Sequence, residues 1–166
     1  ALLPAAALAW RETRAPRGPR TVSLWPWLVL DSALPSGMLA ACAGAGALWL
    51  RLHALDTIPP GELARHLGGT TYLYAVLLGL GGFLKGHAEV KHGLVVIKGP
   101  VPHAPGPILT GAALGTALIL SAPLLPPLPF ATALVLKVAL GLLGGGALSL
   151  LGTLLGARRA LGAAGG

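Results

Sequence analysis

Four long stretches of the chain are almost free of charged residues, and this feature constrains the fold more than any other. The stretches are residues 34–52, 67–84, 108–125 and 128–156. Only Arg51 and Lys137 interrupt them. A helix needs about 20 mostly apolar residues to cross the hydrocarbon core of a membrane. We therefore predict an all-α integral membrane protein, a bundle of about four transmembrane helices.

The overall composition supports the same fold class. Charged residues make up 10% of the chain and hydrophobic residues 54%, whereas soluble domains carry roughly 25% charged residues. This excludes soluble globular, disordered and coiled-coil classes. The net charge of +7 does not indicate nucleic-acid binding, because the basic residues lie between apolar stretches and build no polar face.

Basic residues are unevenly divided between the predicted loops. With four crossings, the N-terminal segment, the second loop and the C-terminus share one side. That side carries Arg11, Arg14, Arg17, Arg20, Lys85, Lys91, Lys98, Arg158 and Arg159. The other side carries Arg51 and Arg65. The asymmetry predicts that both termini face the stroma, cytoplasm or matrix, where anionic lipids are expected partners.

Residues 1–33 are predicted to form a basic N-terminal arm rather than a crossing. Trp25 and Trp27 favour an interfacial foot, since Trp prefers the headgroup layer; a flexible arm with an aromatic anchor is the alternative. Residues 34–156 form the predicted four-span domain and 157–166 a short tail. The chain begins with Ala1 rather than Met, from which we expect that a targeting segment has been removed.

Glycines four residues apart recur within three of the apolar stretches or at their ends. The pairs are Gly82 with Gly86, Gly111 with Gly115, Gly141 with Gly145, and Gly152 with Gly156. Small residues at this spacing allow helix backbones to approach closely. The pattern favours a compact bundle or flat faces for partner helices. The glycines at 144–146 are a candidate break in the last crossing.

Histidines are the polar residues with the most evident chemistry. His53, His66, His87, His92 and His103 all lie near a predicted span end. Haem b requires axial histidines that face each other from neighbouring helices, which these positions supply poorly. One imidazole is enough to ligate the magnesium of chlorophyll, so His66, His87, His92 and His103 are candidate cofactor-binding residues. Interfacial histidines without a ligand are the alternative.

Lys137 is the one charge deep inside a predicted crossing. It lies nine residues into the fourth stretch, roughly 13 Å from its start at 1.5 Å per residue. An unpaired ammonium at that depth is costly. No Asp or Glu lies in any of the stretches, so a backbone carbonyl, a cofactor or a neighbouring subunit is the expected contact, unless the span begins later.

Motifs for catalysis do not occur in the sequence. It contains no GxSxG, HExxH, P-loop or dinucleotide fingerprint. No carboxylate lies at mid-span to relay protons, and internal repeats typical of transporters are not evident. We therefore expect neither an enzyme nor a transporter.

Residues 65–156 resemble a family of small four-helix membrane proteins of cyanobacteria and plastids. The resemblance consists of Arg65-His66 at a span start, LGLGG at 78–82, Gly99-Pro100 with Pro102-His103, LILSA at 118–122 and ALGLLGG at 139–145. It implies a histidine that opens the last span. Residues 129–136 contain none, which weakens the haem b alternative further.

The sequence also resembles accessory subunits of photosystem I. His92-Gly93 followed by Gly99-Pro100 is similar to elements that bind chlorophyll near the stroma in one such subunit. The resemblances imply a non-catalytic accessory subunit of a photosynthetic complex in the plastid thylakoid membrane. Chlorophyll, and also carotenoid or lipid, are the implied ligands. The alternatives are a b-type cytochrome, or a respiratory subunit of the mitochondrial inner membrane.

Overall fold

The computed structural model describes residues 18–164, which are mainly helical. Four helices follow each other in the chain: α1 (Leu24–Leu52), α2 (Pro60–Lys91), α3 (Pro107–Leu120) and α4 (Phe130–Ala163). Helices α1, α2 and α4 contain 29, 32 and 34 residues and are long and apolar enough to cross a membrane. Helix α3 has 14 residues, about 21 Å at 1.5 Å per residue.

Two short strand pairs connect the ends of the helices. Strand β1 (Arg20–Ser23) pairs in parallel with β3 (Val95–Lys98). Strand β2 (Thr57–Ile58) pairs antiparallel with β4 (Leu128–Pro129). Each pair joins segments that are distant in sequence, so each ties two helix ends together.

Local sequence explains where the helices begin. Pro60 and Pro107 start α2 and α3, where a missing N–H costs nothing because the first amides of a helix have no helical partner. Helix α2 ends at a turn in which Gly93 has φ 66°, a conformation that favours glycine.

Contacts between the helices show that their directions alternate. Gly37 of α1 meets Leu142 of α4, and Ala41 meets Gly141, so these helices are antiparallel. Helix α3 runs antiparallel to α2, with Gly115 beside Gly68 and Pro107 beside Gly79. The contacts between α2 and α4 advance together along both helices, so these two are parallel.

The alternating directions bring the start of α1 and the ends of α2 and α4 together. We call this the basic end, because its described basic residues are Arg20, Lys85, Lys91, Lys98, Arg158 and Arg159. Trp27 is buried there and donates a hydrogen bond to Glu89 at 3.1 Å. Leu28, Leu154 and Ala157 pack with it. The opposite end is closed by β2, β4 and a cluster around Leu48, Leu63 and Ala133.

Helix α1 begins at Leu24, ten residues before the predicted start of the first crossing at residue 34. Trp25 and Trp27 therefore belong to its first turns. Asp31, Ser32 and Pro35 interrupt the apolar residues here, so the sequence pattern does not indicate a helix before residue 34. The helix accommodates them through a wide π-helical turn over Val29–Ala33.

Pro35 has no N–H to donate to the Asp31 carbonyl in the α-helical pattern. The Lys85 Nζ donates to that oxygen instead. A basic side chain of α2 thereby satisfies a carbonyl that the proline leaves free in α1.

Differences at the later helices are also clear. The glycines at 144–146 do not break α4, which passes through a π-helical turn at Gly141–Gly145 and continues. It extends to Ala163, so residues 157–163 of the predicted tail are helical. Helix α3 stops at Leu120, and a short 3-10 turn over Ala122–Leu124 follows. Residues 1–17 of the predicted arm, with Arg11, Arg14 and Arg17, and residues 165–166 lie outside the described residues.

Candidate functional site

The paired glycines lie at close contacts within the chain. A Cβ at Gly82 would overlap the Ser149 carbonyl oxygen, and one at Gly86 would overlap that of Thr153. From the other helix, a Cβ at Gly152 would overlap the Gly79 carbonyl oxygen, and one at Gly156 that of Phe83. We call Gly82, Gly86, Gly152 and Gly156 the glycine contact. It brings the α2 and α4 backbones together, as small residues do in membrane helix pairs.

The other two glycine pairs also face neighbouring helices of the same chain. A Cβ at Gly111 would overlap that of Ala75, and one at Gly115 would lie 3.1 Å from the Gly68 carbonyl oxygen. Gly141 and Gly145 pack on α1, where an added Cβ at Gly141 would lie 2.6 Å from the Ala41 Cα. These faces are occupied internally and are not available to partner helices.

Lys137 is fully buried between α1, α2 and α4. Its Nζ donates a hydrogen bond to the Thr70 hydroxyl and lies 5.6 Å from the centre of the Tyr74 ring. An ammonium within about 6 Å of an aromatic ring is attracted to its face. Gly44 makes room for the lysine stem, since a Cβ there would lie 2.8 Å from Lys137 Cε. We call Lys137, Thr70 and Tyr74 the lysine cluster.

The contacts of Lys137 differ from those expected from sequence. A side-chain hydroxyl and a ring of the same chain surround it, rather than a backbone carbonyl. Thr70 in turn donates to the His66 carbonyl at 2.8 Å, and Tyr74 donates to the Ala40 carbonyl at 2.7 Å. The cluster therefore links three helices with hydrogen bonds.

A second cluster of buried polar side chains was not predicted from the sequence. Ser32 lies 2.9 Å from the Ser149 hydroxyl and 2.6 Å from that of Thr153. Ser36 donates to Ser149 at 2.9 Å. These four residues form a hydroxyl cluster between α1 and α4, beside Gly82. The signal for it was present, because Ser32 and Ser36, like Ser149 and Thr153, are four residues apart.

The five histidines do not converge. His53 is exposed, stacks on Trp49 and is bonded through Nδ1 to the Trp49 carbonyl at 2.8 Å. His66 and His87 lie in opposite halves of α2, about 31 Å apart along the axis at 1.5 Å per residue. His92 is exposed where α2 ends, and His103 lies in the loop that follows β3.

The hydrogen bonds of the four candidate ligands distinguish them. His103 Nε2 accepts a hydrogen bond from Arg158, so that nitrogen is occupied. His66 Nε2 and His87 Nδ1 are buried and have no hydrogen-bond partner within residues 18–164. His87 stacks on Phe83 and lines a cavity of about 310 Å³ with Lys91 and Leu161. Of the four, His87 therefore combines an unpartnered nitrogen with adjacent space.

Neither a metal cluster nor a histidine pair on facing helices is formed by the residues that the structure describes. No group of three His, Cys, Asp or Glu in this part of the chain is placed to hold a metal ion. Within the helices, the histidines are His66 and His87, both on α2.

Other cavities lie at the basic end. One of about 260 Å³ is lined by Phe83, Leu155, Arg158 and Arg159. Another of about 290 Å³ lies beside Trp27 and Asp31 at the start of α1. The first is apolar toward the middle of the helices and cationic toward their ends.

No protein-family model, curated protein or solved structure matches this chain. The resemblances noted in the sequence therefore stay predictions.

Proposed function

We propose that this protein is a non-catalytic integral membrane subunit of a larger complex and crosses the membrane four times. The basic end lies on the stromal, cytoplasmic or matrix side, as the charge asymmetry predicts. Photosystem I of the plastid thylakoid is the complex that the sequence resemblance indicates. A respiratory complex of the mitochondrial inner membrane is the variant that the resemblance favours less.

The observation that carries the proposal is the position of α3 along α2. Pro107, where α3 begins, packs against Gly79. Gly79 precedes Lys85 by six residues, so it lies about 9 Å farther from the basic end. Residues 99–106 must therefore reach this depth without helical structure.

Non-helical backbone is tolerated at membrane depth only where protein or a water-filled cavity surrounds it. Val101 and Ala104 pack on the core of the basic end, which covers one side of this segment. Pro100, Pro102 and Pro105 are exposed on the other side. The prolines remove N–H donors, but their carbonyls still need partners. We propose that a neighbouring subunit covers this side.

The outer face of α3 is apolar and suited to such a neighbour. Leu109 is 76% exposed, Leu120 is 72% exposed and Leu124 beyond the helix is 85% exposed. Ala113 and Ala117 lie between the two helical leucines and are exposed as well. Small residues four apart between large apolar ones form a surface on which another membrane helix can pack closely.

We propose that His87 ligates the magnesium of a chlorophyll that the complex holds against this subunit. One imidazole is enough to ligate the magnesium, and the His87 side chain lines a cavity together with Val90, Ala160 and Leu161. His103 fits less well because its Nε2 already accepts a hydrogen bond. The chain's contribution is one ligand and an apolar wall.

Replacement of Ala117 by Trp tests the proposed interface. The bulky ring projects from the outer face of α3 and should displace a neighbouring helix, so we expect the variant to leave the large complex. The measurement is the fraction of tagged protein in the high-mass band of a native gel after mild detergent extraction.

The matched control is Ala43→Trp on α1. Ala43 is also an exposed alanine of a long apolar helix, so the same ring is added to a different face. The control should remain in the complex. Release of both variants to the same extent, or retention of Ala117→Trp, would contradict an interface on α3.

A further inference from the structure

A groove at the basic end has the shape and charge of a site for a single lipid. The ends of α2 and α4 form its walls, and Phe83, Leu155, Arg158 and Arg159 line its volume of about 260 Å³. The glycine contact explains why it lies there. Because the helix backbones touch at Gly156 and Phe83, the large side chains are pushed to the flank of the contact and leave a groove between them.

The groove is divided along the membrane normal. Leu155 lies one helical turn before Arg159 on α4, which is about 6 Å deeper at 1.5 Å per residue. In the proposed membrane orientation, the apolar side chains lie toward the hydrocarbon core and the guanidinium groups toward the lipid headgroups. A lipid acyl chain and a charged headgroup match these two parts in order.

The two guanidinium groups are available for an anion. Within residues 18–164, the one side-chain ion pair joins Arg65 to Glu62 at the opposite end. Glu89 is the acidic residue of α2 nearest in sequence to Phe83, and its carboxylate accepts a hydrogen bond from Trp27. Arg158 donates from one nitrogen to His103. A guanidinium has five N–H donors, so this bond fixes the position of Arg158 and leaves donors for a ligand.

We infer that the Arg158–Arg159 groove binds the phosphate of an anionic phospholipid, with an acyl chain along Phe83 and Leu155. Two adjacent guanidinium groups bind phosphate through several charge-assisted hydrogen bonds. The apolar floor adds the contact that free phosphate lacks, so the lipid, and not the ion, is the ligand. The inference rests on the proposed membrane location but not on the identity of the complex.

The test is native mass spectrometry of the full chain in detergent, titrated with phosphatidylglycerol or with phosphatidylcholine of the same acyl chains. We expect the chain to retain phosphatidylglycerol preferentially. R158Q/R159Q should weaken the binding of phosphatidylglycerol about tenfold or more. Tenfold corresponds to the loss of about 1.4 kcal/mol of charge-assisted hydrogen bonding. The control R51Q/R65Q removes the same charge at the opposite end and should bind like the wild type.

R159Q alone keeps the inference testable if the double variant folds poorly. Arg159 is exposed, and its single replacement should still weaken binding. Equal retention of both lipids, equal loss in both double variants, or displacement by millimolar inorganic phosphate would overturn the inference. Lipid specificity without entry into a complex would leave this site standing and refute the proposed subunit role.

Discussion

Gly82→Ala should lower the free energy of unfolding by about 1–3 kcal/mol, the usual range when a packed core receives an extra carbon. The added Cβ would overlap the Ser149 carbonyl oxygen and lie 3.0 Å from the Thr153 hydroxyl. Backbone cannot swing aside as a flexible side chain can, so α2 and α4 must separate. The measurement is reversible unfolding of the purified protein in mixed micelles.

Gly81→Ala is the matched control, one residue earlier on the same helix. A Cβ at Gly81 meets nothing within 4 Å. Because alanine has a higher helix propensity than glycine, Gly81→Ala should leave the free energy of unfolding unchanged or raise it by up to about 1 kcal/mol. Similar losses in both variants would show that any alanine is harmful here and that the glycine contact is not responsible.

Thr70→Val should also destabilise the protein, by about 1–3 kcal/mol, because it removes the hydrogen-bond acceptor of a buried ammonium. Lys137→Met should change stability much less, since an apolar side chain of similar length needs no partner. In the Lys137→Met background, Thr70→Val should then lose most of its effect. This double-mutant cycle, followed by the same unfolding measurement, isolates the contact between the two side chains.

Thr71→Val controls for the hydroxyl's bonds to the helix itself. Thr71 is buried on the same helix and donates to the Leu67 carbonyl at 2.8 Å, just as Thr70 donates to the His66 carbonyl four residues before it at 2.8 Å. Its effect should be the same in the wild-type protein and in the Lys137→Met background. If Thr70→Val and Lys137→Met act additively, the buried lysine does not depend on Thr70.

The sequence was informative about the helices because long apolar stretches without charged residues favour helices that could cross a membrane. It was poor at helix boundaries wherever polar residues have partners far along the chain. Ser32 is an example: in sequence it ends an apolar stretch, yet its hydroxyl is satisfied by Ser149 and Thr153. Asp31 and Pro35 are a second example. Pro35 has no N–H to donate to the Asp31 carbonyl, and Lys85 donates a hydrogen bond to that oxygen instead.

The surroundings of Lys137 show the same limit for the candidate site. Its depth was readable from its position in the stretch, but Thr70 lies 67 residues away and Tyr74 on the next turn of α2. Their meeting depends on how α2 and α4 are rotated about their axes, which the glycine spacing alone does not determine. The hydrogen bond from Arg158 to His103 likewise depends on the path of the proline-rich loop that contains His103.

The most direct test of the proposed role is the absorption spectrum of the native-gel band that holds this protein after mild extraction from its own membrane. A large band that absorbs as chlorophyll is the result expected for a photosystem I subunit. A small particle with a dithionite-reducible haem band would contradict it and favour the cytochrome. A small colourless band would contradict it too, since the protein would then stand alone in the membrane.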